Sequence, residues 1–329
     1  MDGTQYPQRL STRKVNPTRA LSDIAADAAA GLLSRPRFMP PKYFYDARGS
    51  RLFDAICDTP EYYPTRTEDA LLEQHAAAIL EQCRPAHIIE FGSGTSRKTR
   101  RLLGACDSDL SYWPFDVCEA MLHEAGHQLV QEYDWLDVNV LVGDYLAGLD
   151  DLPEVEGPCL YLFLGGTIGN FSPRQAHDFL VELRSLMKPD DCLLLGADRL
   201  KDRAVLHAAY NDADGITAEF NLNLLRVLNR KLDADFEPRH FRHRALFDDG
   251  RQRIEMYLEA RRRQSVRIGA LDARLELEAG ERILTEISRK FSRQGLEALL
   301  QEAGFSVQAH YQPDDGWYSL LLAGPGGLS

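Results

Sequence analysis

The residues Glu90 to Arg100, EFGSGTSRKTR, follow the apolar run HII and precede RLL. A glycine loop between a short apolar run and a helix-length segment is where an open α/β sheet takes up a small ligand. Gly92 and Gly94 permit a tight turn and let a ligand approach the backbone closely. A Walker A loop needs GxxxxGK followed by Ser or Thr, and this loop lacks it. Nor is the dinucleotide fingerprint complete, because Ser96 stands where a third glycine would let helix and strand pack beside a pyrophosphate. Glu90, at the strand end, would repel phosphate and approach a cation. Those traits suit a cofactor with a sulfonium and an amino group, such as S-adenosylmethionine. A purely structural turn is one alternative, and a nicotinamide-dependent oxidoreductase, opposed by Ser96, is another.

Two further strand ends carry acids. Asp116 closes SYWPFD, where a carboxylate can accept from both hydroxyls of a ribose. Asp144 follows the next apolar run in GDY, placed to receive an adenine amino group while Tyr145 packs on the ring. A single strand-end Asp is as often a solvated cap. Three such features on successive strand ends favour the cofactor reading.

The elements that must hold them follow from periodicity. AHIIEF, YWPFDV, VNVLVGDY, CLYLFLG and CLLLGA are short apolar runs separated by helix-length segments, the pattern of a parallel sheet with helical crossovers. SPRQAHDFLVELRSLMKPD is one crossover, stopped at Pro189. Residues 1 to 20 read as polar and poorly fixed, Arg19–Leu33 as helix, and PRFMPPKYFYDARGS as irregular. A short helix, a break at Pro60 to Pro64 and a longer helix after Thr65 come next, with Thr67 as its cap and Glu68 and Asp69 as first-turn charges. Two helical pieces flank the DADG turn, a hairpin turns at Asp248-Asp249-Gly250, and the C-terminus reads helix, strand, turn, strand.

Composition bounds the partners. With 38 basic and 50 acidic residues the net charge is -12, a poor basis for binding a phosphate backbone. No stretch approaches a membrane span and the N-terminus lacks a signal-peptide core, so a cytoplasmic protein is expected. Six scattered cysteines without a CxxC pair suit a reducing compartment. His240 and His243 in HFRHR lack a carboxylate partner pattern, so no metal is expected, and Arg261–Arg263 reads as a solvated face.

Longer motifs narrow the reading. FYDARGSRLFDAICDTPEYYPTRTE, EFGSGTSRKT, LFLGGTIGNF, AYNDADGITAEFNLNLLRVLNR, IEMYLEA and LTEISRKF closely resemble the histidine Nα-methyltransferases of the ergothioneine pathway, over about Pro40 to Leu322. The resemblance implies an α/β class I S-adenosylmethionine-dependent methyltransferase core of Rossmann-like type, at 64–199 and 291–329. It implies a second α+β domain, specific to the family and substrate-binding, at 1–63 and 200–290. The expected reaction is Nα-trimethylation of L-histidine by a monomer that binds neither nucleic acid nor membrane. Carried over by motif, Gly92, Gly94 and Lys98 belong to the cofactor loop and its helix, Asp116 to the ribose, and Asp144 with Tyr145 to the adenine. Tyr45 is implied both beside the cofactor's methionine part and in positioning the substrate amine. Asn170, with Thr167 in the same loop and Tyr210 assisting, is implied at the substrate carboxylate. Tyr62, Glu286 and Ser288 are implied around the imidazole, with Met256 as a pocket wall. Gly166 departs from the family's usual LGSTIGN by replacing its serine, which bears on substrate fit.

The residue types suit those roles. An asparagine amide donates to a carboxylate while its carbonyl accepts from an amine. Glu286 can accept from an imidazole N–H, and Ser288 points the same way if LTEIS is a strand. A surface salt bridge of Glu286 with Arg289 or Lys290 is the plainer alternative. The rival functions are methylation of another amino acid or small amine, and cofactor binding without turnover.

Overall fold

The computed structural model describes residues 9–20, 22–106 and 109–326. In chain order its strands are β1 (Leu10–Lys14), β2 (Arg37–Phe38), β3 (His87–Phe91), β4 (Leu110–Asp116), β5 (Leu136–Val142), β6 (Cys159–Phe163) and β7 (Cys192–Asp198). They continue as β8 (Phe241–Asp248), β9 (Arg253–Ala260), β10 (Gln264–Ile268), β11 (Ala273–Leu277), β12 (Arg282–Arg289), β13 (Phe305–Tyr311) and β14 (Tyr318–Pro325). The chain divides into a core unit, made of the described residues of 1–20, 67–199 and 291–329, and a second unit of 21–66 and 200–290.

The core unit holds an eight-stranded sheet in the order β1-β5-β4-β3-β6-β7-β14-β13. β3 to β7 and β1 run parallel, and β14 is antiparallel to both its neighbours. Every residue of β6 and β7 is buried, which explains their unbroken apolar runs. Successive residues feed opposite faces. Ile88, Leu160 and Leu162 pack with Leu72 and Ile79 of the helix Tyr63–Cys83, whereas Ile89, Tyr161 and Phe163 pack with Phe179 and Leu183 of the helix Pro173–Leu186. From β3 the chain winds outward through β4 and β5, and from β6 it winds the other way through β7. The loops after β3 and β6 therefore flank the point where strand order reverses, where such sheets bind ligands.

Two expectations are corrected here. Residues 10–14 form β1 and pair in parallel with β5, Leu10 opposite Val138, so this segment joins the core unit. The side chain of Arg9 anchors it, donating to the Tyr133 and Val130 carbonyls at 2.6 Å each. Its STRK sequence reads as loop because an edge strand exposed to water keeps charged residues. The long helix begins at Tyr63, not after Thr65: Pro64 lies in the first turn, where its missing N–H breaks no helical bond. The unit boundary at Arg66/Thr67 falls inside this helix.

The second unit is built on a four-stranded sheet, β2-β12-β9-β8, with a β10-β11 ribbon. β8 and β9 form the hairpin turning between Asp248 and Arg253. The helix Ile216–Leu232 buries Phe220, Leu224, Leu225 and Leu228. Part of PRFMPPKYFYDARGS is regular: a 3-10 turn at Pro41–Phe44 leads to a helix at Ala47–Cys57 capped by Asp46. Gly49 sits inside that helix, and glycine is needed there because a Cβ would strike the Phe44 carbonyl.

Candidate functional site

The loop after β3 is held open by backbone geometry. Gly92 and Gly94 take φ of 70° and 55°, and Ser96 itself adopts φ of 53°. Ser96 therefore occupies the left-handed region usually left to glycine, with its hydroxyl accepting from Tyr112 at 2.8 Å. A Cβ at Gly94 would meet nothing within 4 Å, and one at Gly92 would meet only the Tyr145 ring at 3.7 Å. Space thus lies beside the loop backbone, walled by Tyr145. That ring also lies about 6 Å from Phe91, Phe115, Phe163 and Phe179.

Asp116 ends β4 and accepts from Gly94 N–H at 3.2 Å and from Cys118 N–H at 3.0 Å. A carboxylate has about four lone-pair sites, so these bonds leave part of its capacity for a ligand's hydroxyl. Burial pushes the Asp116 carboxyl up, and those backbone N–H groups draw it back. Asp144 caps the 3-10 turn Tyr145–Ala147, accepting from Leu146 N–H at 2.9 Å.

Glu90 is buried beneath the loop, where its Oε2 accepts from Thr99 at 2.5 Å and from Tyr112. One oxygen of its carboxylate thus braces the glycine loop from inside. Burial pushes it up to about 7 against the pull of Thr99 and Tyr112.

Glu68 was missed. Read from sequence as a first-turn charge, it is fully buried in the second turn of the helix that starts at Tyr63, and it pairs with Lys98. The same carboxylate accepts Gly165 N–H, at 3.0 and 2.9 Å to its two oxygens, and the Tyr318 hydroxyl at 2.8 Å. Lys98 therefore ties the glycine-loop helix to the turn after β6. In that turn Gly165 and Gly166 have φ of 79° and 66°. A serine at Gly166 would be strained, so glycine is the residue this backbone favours. Thr167 donates to the Leu164 carbonyl at 2.8 Å, and Asn170 ends the 3-10 turn Thr167–Asn170, half-buried.

In the second unit a narrow cavity of about 20 Å³ is lined by Phe53, Ile56, Tyr62, Ala209, Tyr210, Thr217, Phe220, Met256 and Glu286. Four residues read from sequence, Tyr62, Tyr210, Met256 and Glu286, are brought together here. β12 and β9 place Glu286 opposite Met256, after an irregularity between Leu284 and Glu286. Burial pushes the Glu286 carboxyl up to about 7, and the Lys290 charge pulls it down. Ser288, two residues on along β12, accepts from Tyr210 at 2.8 Å. Tyr45 lies with its ring 5.8 Å from both Phe53 and Phe220. Thr217 was not read from sequence. It is buried on the cavity wall, and its backbone N–H donates to Asp212 at 2.8 Å.

No group of three or more His, Cys, Asp or Glu able to hold a metal occurs among the described residues. His243 engages its two ring nitrogens with Tyr210 O and Asn221. Nor is any described helix long and apolar enough to cross a membrane.

A parallel sheet reversing at β3/β6, closed by an antiparallel β14, with an open glycine loop and acids after β4 and β5, defines a class I S-adenosylmethionine-dependent methyltransferase. The acceptors suit that cofactor's hydroxyl and amino groups, and the loop leaves room beside Gly92 and Gly94. The chain belongs to the family described as histidine-specific, SAM-dependent methyltransferases, whose sequence profile matches residues 24–325. It is 43% identical over 300 residues to the histidine N-alpha-methyltransferase of Mycobacterium tuberculosis, covering 90% of this chain and 93% of that one. Against the enzyme of the same name from Mycolicibacterium smegmatis it is 44% identical over 308 residues, covering 92% and 95%. It is also 33% identical to ergothioneine biosynthesis protein 1 of Neurospora crassa, over 88% of this chain and 33% of that protein.

Proposed function

We propose that this methyltransferase transfers three methyl groups in turn to the α-nitrogen of L-histidine, giving N,N,N-trimethylhistidine (hercynine) for ergothioneine biosynthesis. The observation that carries the reading is the lining of the second-unit cavity: an acid, Glu286, stands among Met256, Tyr62 and Tyr210, one ring N–H acceptor within a largely apolar and aromatic wall. The names of the mycobacterial relatives favour the same acceptor.

Bound S-adenosylmethionine supplies a methyl group on a sulfonium, an electrophile that an amine lone pair attacks without further activation. On this reading the chain's part is positioning and exclusion of water. Gly92 and Gly94 give the cofactor backbone room, Lys98 fixes their loop, Asp116 accepts from the ribose, and Asp144 and Tyr145 take the adenine. The unit of 21–66 and 200–290 is the substrate-binding part. Within it Glu286 accepts an imidazole N–H, Ser288 meets the other ring nitrogen, and Tyr62 and Met256 wall the ring. Asn170 and Thr167 hold the carboxylate, Tyr210 lines the cavity beside the ring, and Tyr45 orients the amine. The α-ammonium loses a proton before each transfer while it has one. Six free cysteines favour a reducing compartment such as the cytoplasm.

Mass spectrometry of the protein incubated with S-adenosylmethionine and each of the twenty amino acids tests this. A gain of three methyl groups on histidine alone is expected. Methylation of a different amino acid, or cofactor binding with no product, would overturn it.

A further inference from the structure

Lys290 follows β12 by one residue and is 2% exposed. Its Nζ lies 2.9 Å from the Tyr210 hydroxyl and 2.9 Å from Ser288 Oγ, and those two hydroxyls are 2.8 Å apart. Its backbone N–H is held by the Gln252 carbonyl at 2.8 Å. A buried ammonium closing a triangle with two hydroxyls is a device that sets proton direction, because lysine has donors and no acceptor. Both oxygens must therefore accept from Lys290.

One proton remains to be shared along the third side. A phenol is the better acid, so Tyr210 donates and Ser288 accepts. Ser288 then receives two hydrogen bonds, from Lys290 and from Tyr210, and both its lone pairs are occupied. Its own hydroxyl proton is left to donate to a third group. Two residues back on the same side of β12 stands Glu286, which lines the cavity and, when ionised, only accepts. The strand thus offers one donor and one acceptor at i, i+2 spacing.

Resting on the histidine reading, we propose that Lys290 is a positioning residue that fixes Ser288 as a donor, so that the chain selects a neutral ring with one N–H toward Glu286 and one bare nitrogen toward Ser288. An imidazolium, with two N–H groups, would set a proton against the Ser288 proton. A ring with N–H but no second nitrogen would leave that donor unsatisfied. Without Lys290 the two hydroxyls are free to reverse, Ser288 donating to Tyr210, and the preference for a bare nitrogen is lost. The positive charge of Lys290 acts in the same sense on Glu286: burial pushes that carboxyl up to about 7, and the ammonium holds it nearer the ionised, accepting form.

The test is calorimetric binding, in the presence of S-adenosylhomocysteine and at pH 9, where Glu286 is ionised with or without the Lys290 charge, of histidine and of the two pyrrole isosteres that each lack one ring nitrogen. In the unmodified enzyme histidine is expected to bind about tenfold or more tighter than the better isostere, the size of one lost hydrogen bond to a buried group. In Lys290→Met histidine should weaken to the level of that isostere, whose own affinity changes by less than about threefold, and Lys290→Gln, which keeps a donor, should restore part of the gap. Histidine and isostere weakening together would mark a merely structural lysine, and an undiminished gap would remove it from ring selection; either result overturns the inference while leaving histidine as the substrate. No histidine binding to the unmodified enzyme would overturn the histidine reading and this inference with it. A second measurement needs no variant: nitrogen-15 NMR of ring-labelled histidine bound to the unmodified enzyme should show one protonated and one bare ring nitrogen, and two protonated nitrogens would overturn the assignment.

Discussion

The ammonium of Lys98 closes on the carboxylate of Glu68, and the same carboxylate takes the Gly165 N–H and the Tyr318 hydroxyl. One buried acid thus joins the loops after β3 and β6, the two that flank the reversal of the sheet. Removing one partner of a buried pair leaves an uncompensated charge, at a cost of about 3 kcal/mol. Lys98→Met should therefore lower the stability of the enzyme by that order in urea unfolding and weaken S-adenosylhomocysteine binding. Unchanged stability would show that Tyr318 and Gly165 alone satisfy Glu68.

Asp116 divides its carboxylate between the loop and a ligand. Gly94 and Cys118 N–H occupy part of it, and the rest is the acceptor proposed for the ribose. Hydrogen bonds to charged groups contribute about 1.5–3 kcal/mol, so Asp116→Ala should weaken S-adenosylhomocysteine by roughly 10- to 100-fold in a calorimetric titration. Equal affinity in the variant would sink the ribose role.

Glu90 gives stability a pH dependence of definite sign. Its carboxyl is pushed by burial up to about 7, whereas the unfolded chain releases that proton near the ordinary 4.5. Between those values the folded state binds more protons, so this group's contribution to stability falls as pH rises toward 7 and levels off above it. Glu286, likewise pushed up to about 7 by burial, contributes in the same direction. The check is the difference between the unmodified enzyme and Glu90→Gln in urea unfolding from pH 5 to 8. The variant should lose this slope and gain up to roughly 3 kcal/mol in relative stability at the upper end. Parallel curves would mean that Thr99 and Tyr112 stabilise the ionised form fully.

The alternation of strands and crossovers was legible because buried parallel strands carry unbroken apolar runs, as in β6 and β7. β1 was not, since STRK on an exposed edge has no apolar face to betray it. The helix start at Tyr63 was hidden by Pro64, a residue that reads as a break and is harmless in a first turn. Glycine spacing located the open loop after β3, but the same stretch did not reveal that Glu90 is buried and bound to Thr99 and Tyr112, because a sequence does not tell which partners a strand-end carboxylate takes. Glu68 and Lys98 lie 30 residues apart and declare their pairing only once both loops are folded. The i, i+2 step from Glu286 to Ser288 could be read directly; the part of Lys290 could not, because its partner Tyr210 is 80 residues away.

Glu286 is where acceptor choice should be decided. It lines the second-unit cavity opposite Met256, it is pushed up to about 7 by burial, and none of the cofactor-loop residues is its neighbour in sequence. Truncation to alanine removes the one acid in that lining and leaves the apolar wall of Phe53, Ile56, Phe220 and Met256 intact. Histidine would then lose the partner of a ring N–H, a loss of about 1.5–3 kcal/mol, whereas amino acids with apolar side chains would lose nothing. Glu286→Ala should therefore lower kcat/KM for histidine by roughly 10- to 100-fold, chiefly through KM, with S-adenosylhomocysteine affinity within about threefold of the unmodified enzyme. The relative rate with phenylalanine or leucine should rise. Full activity on histidine would remove Glu286 from the imidazole site, and an equal loss of cofactor affinity would show that the substitution disturbs the fold and not the choice of acceptor.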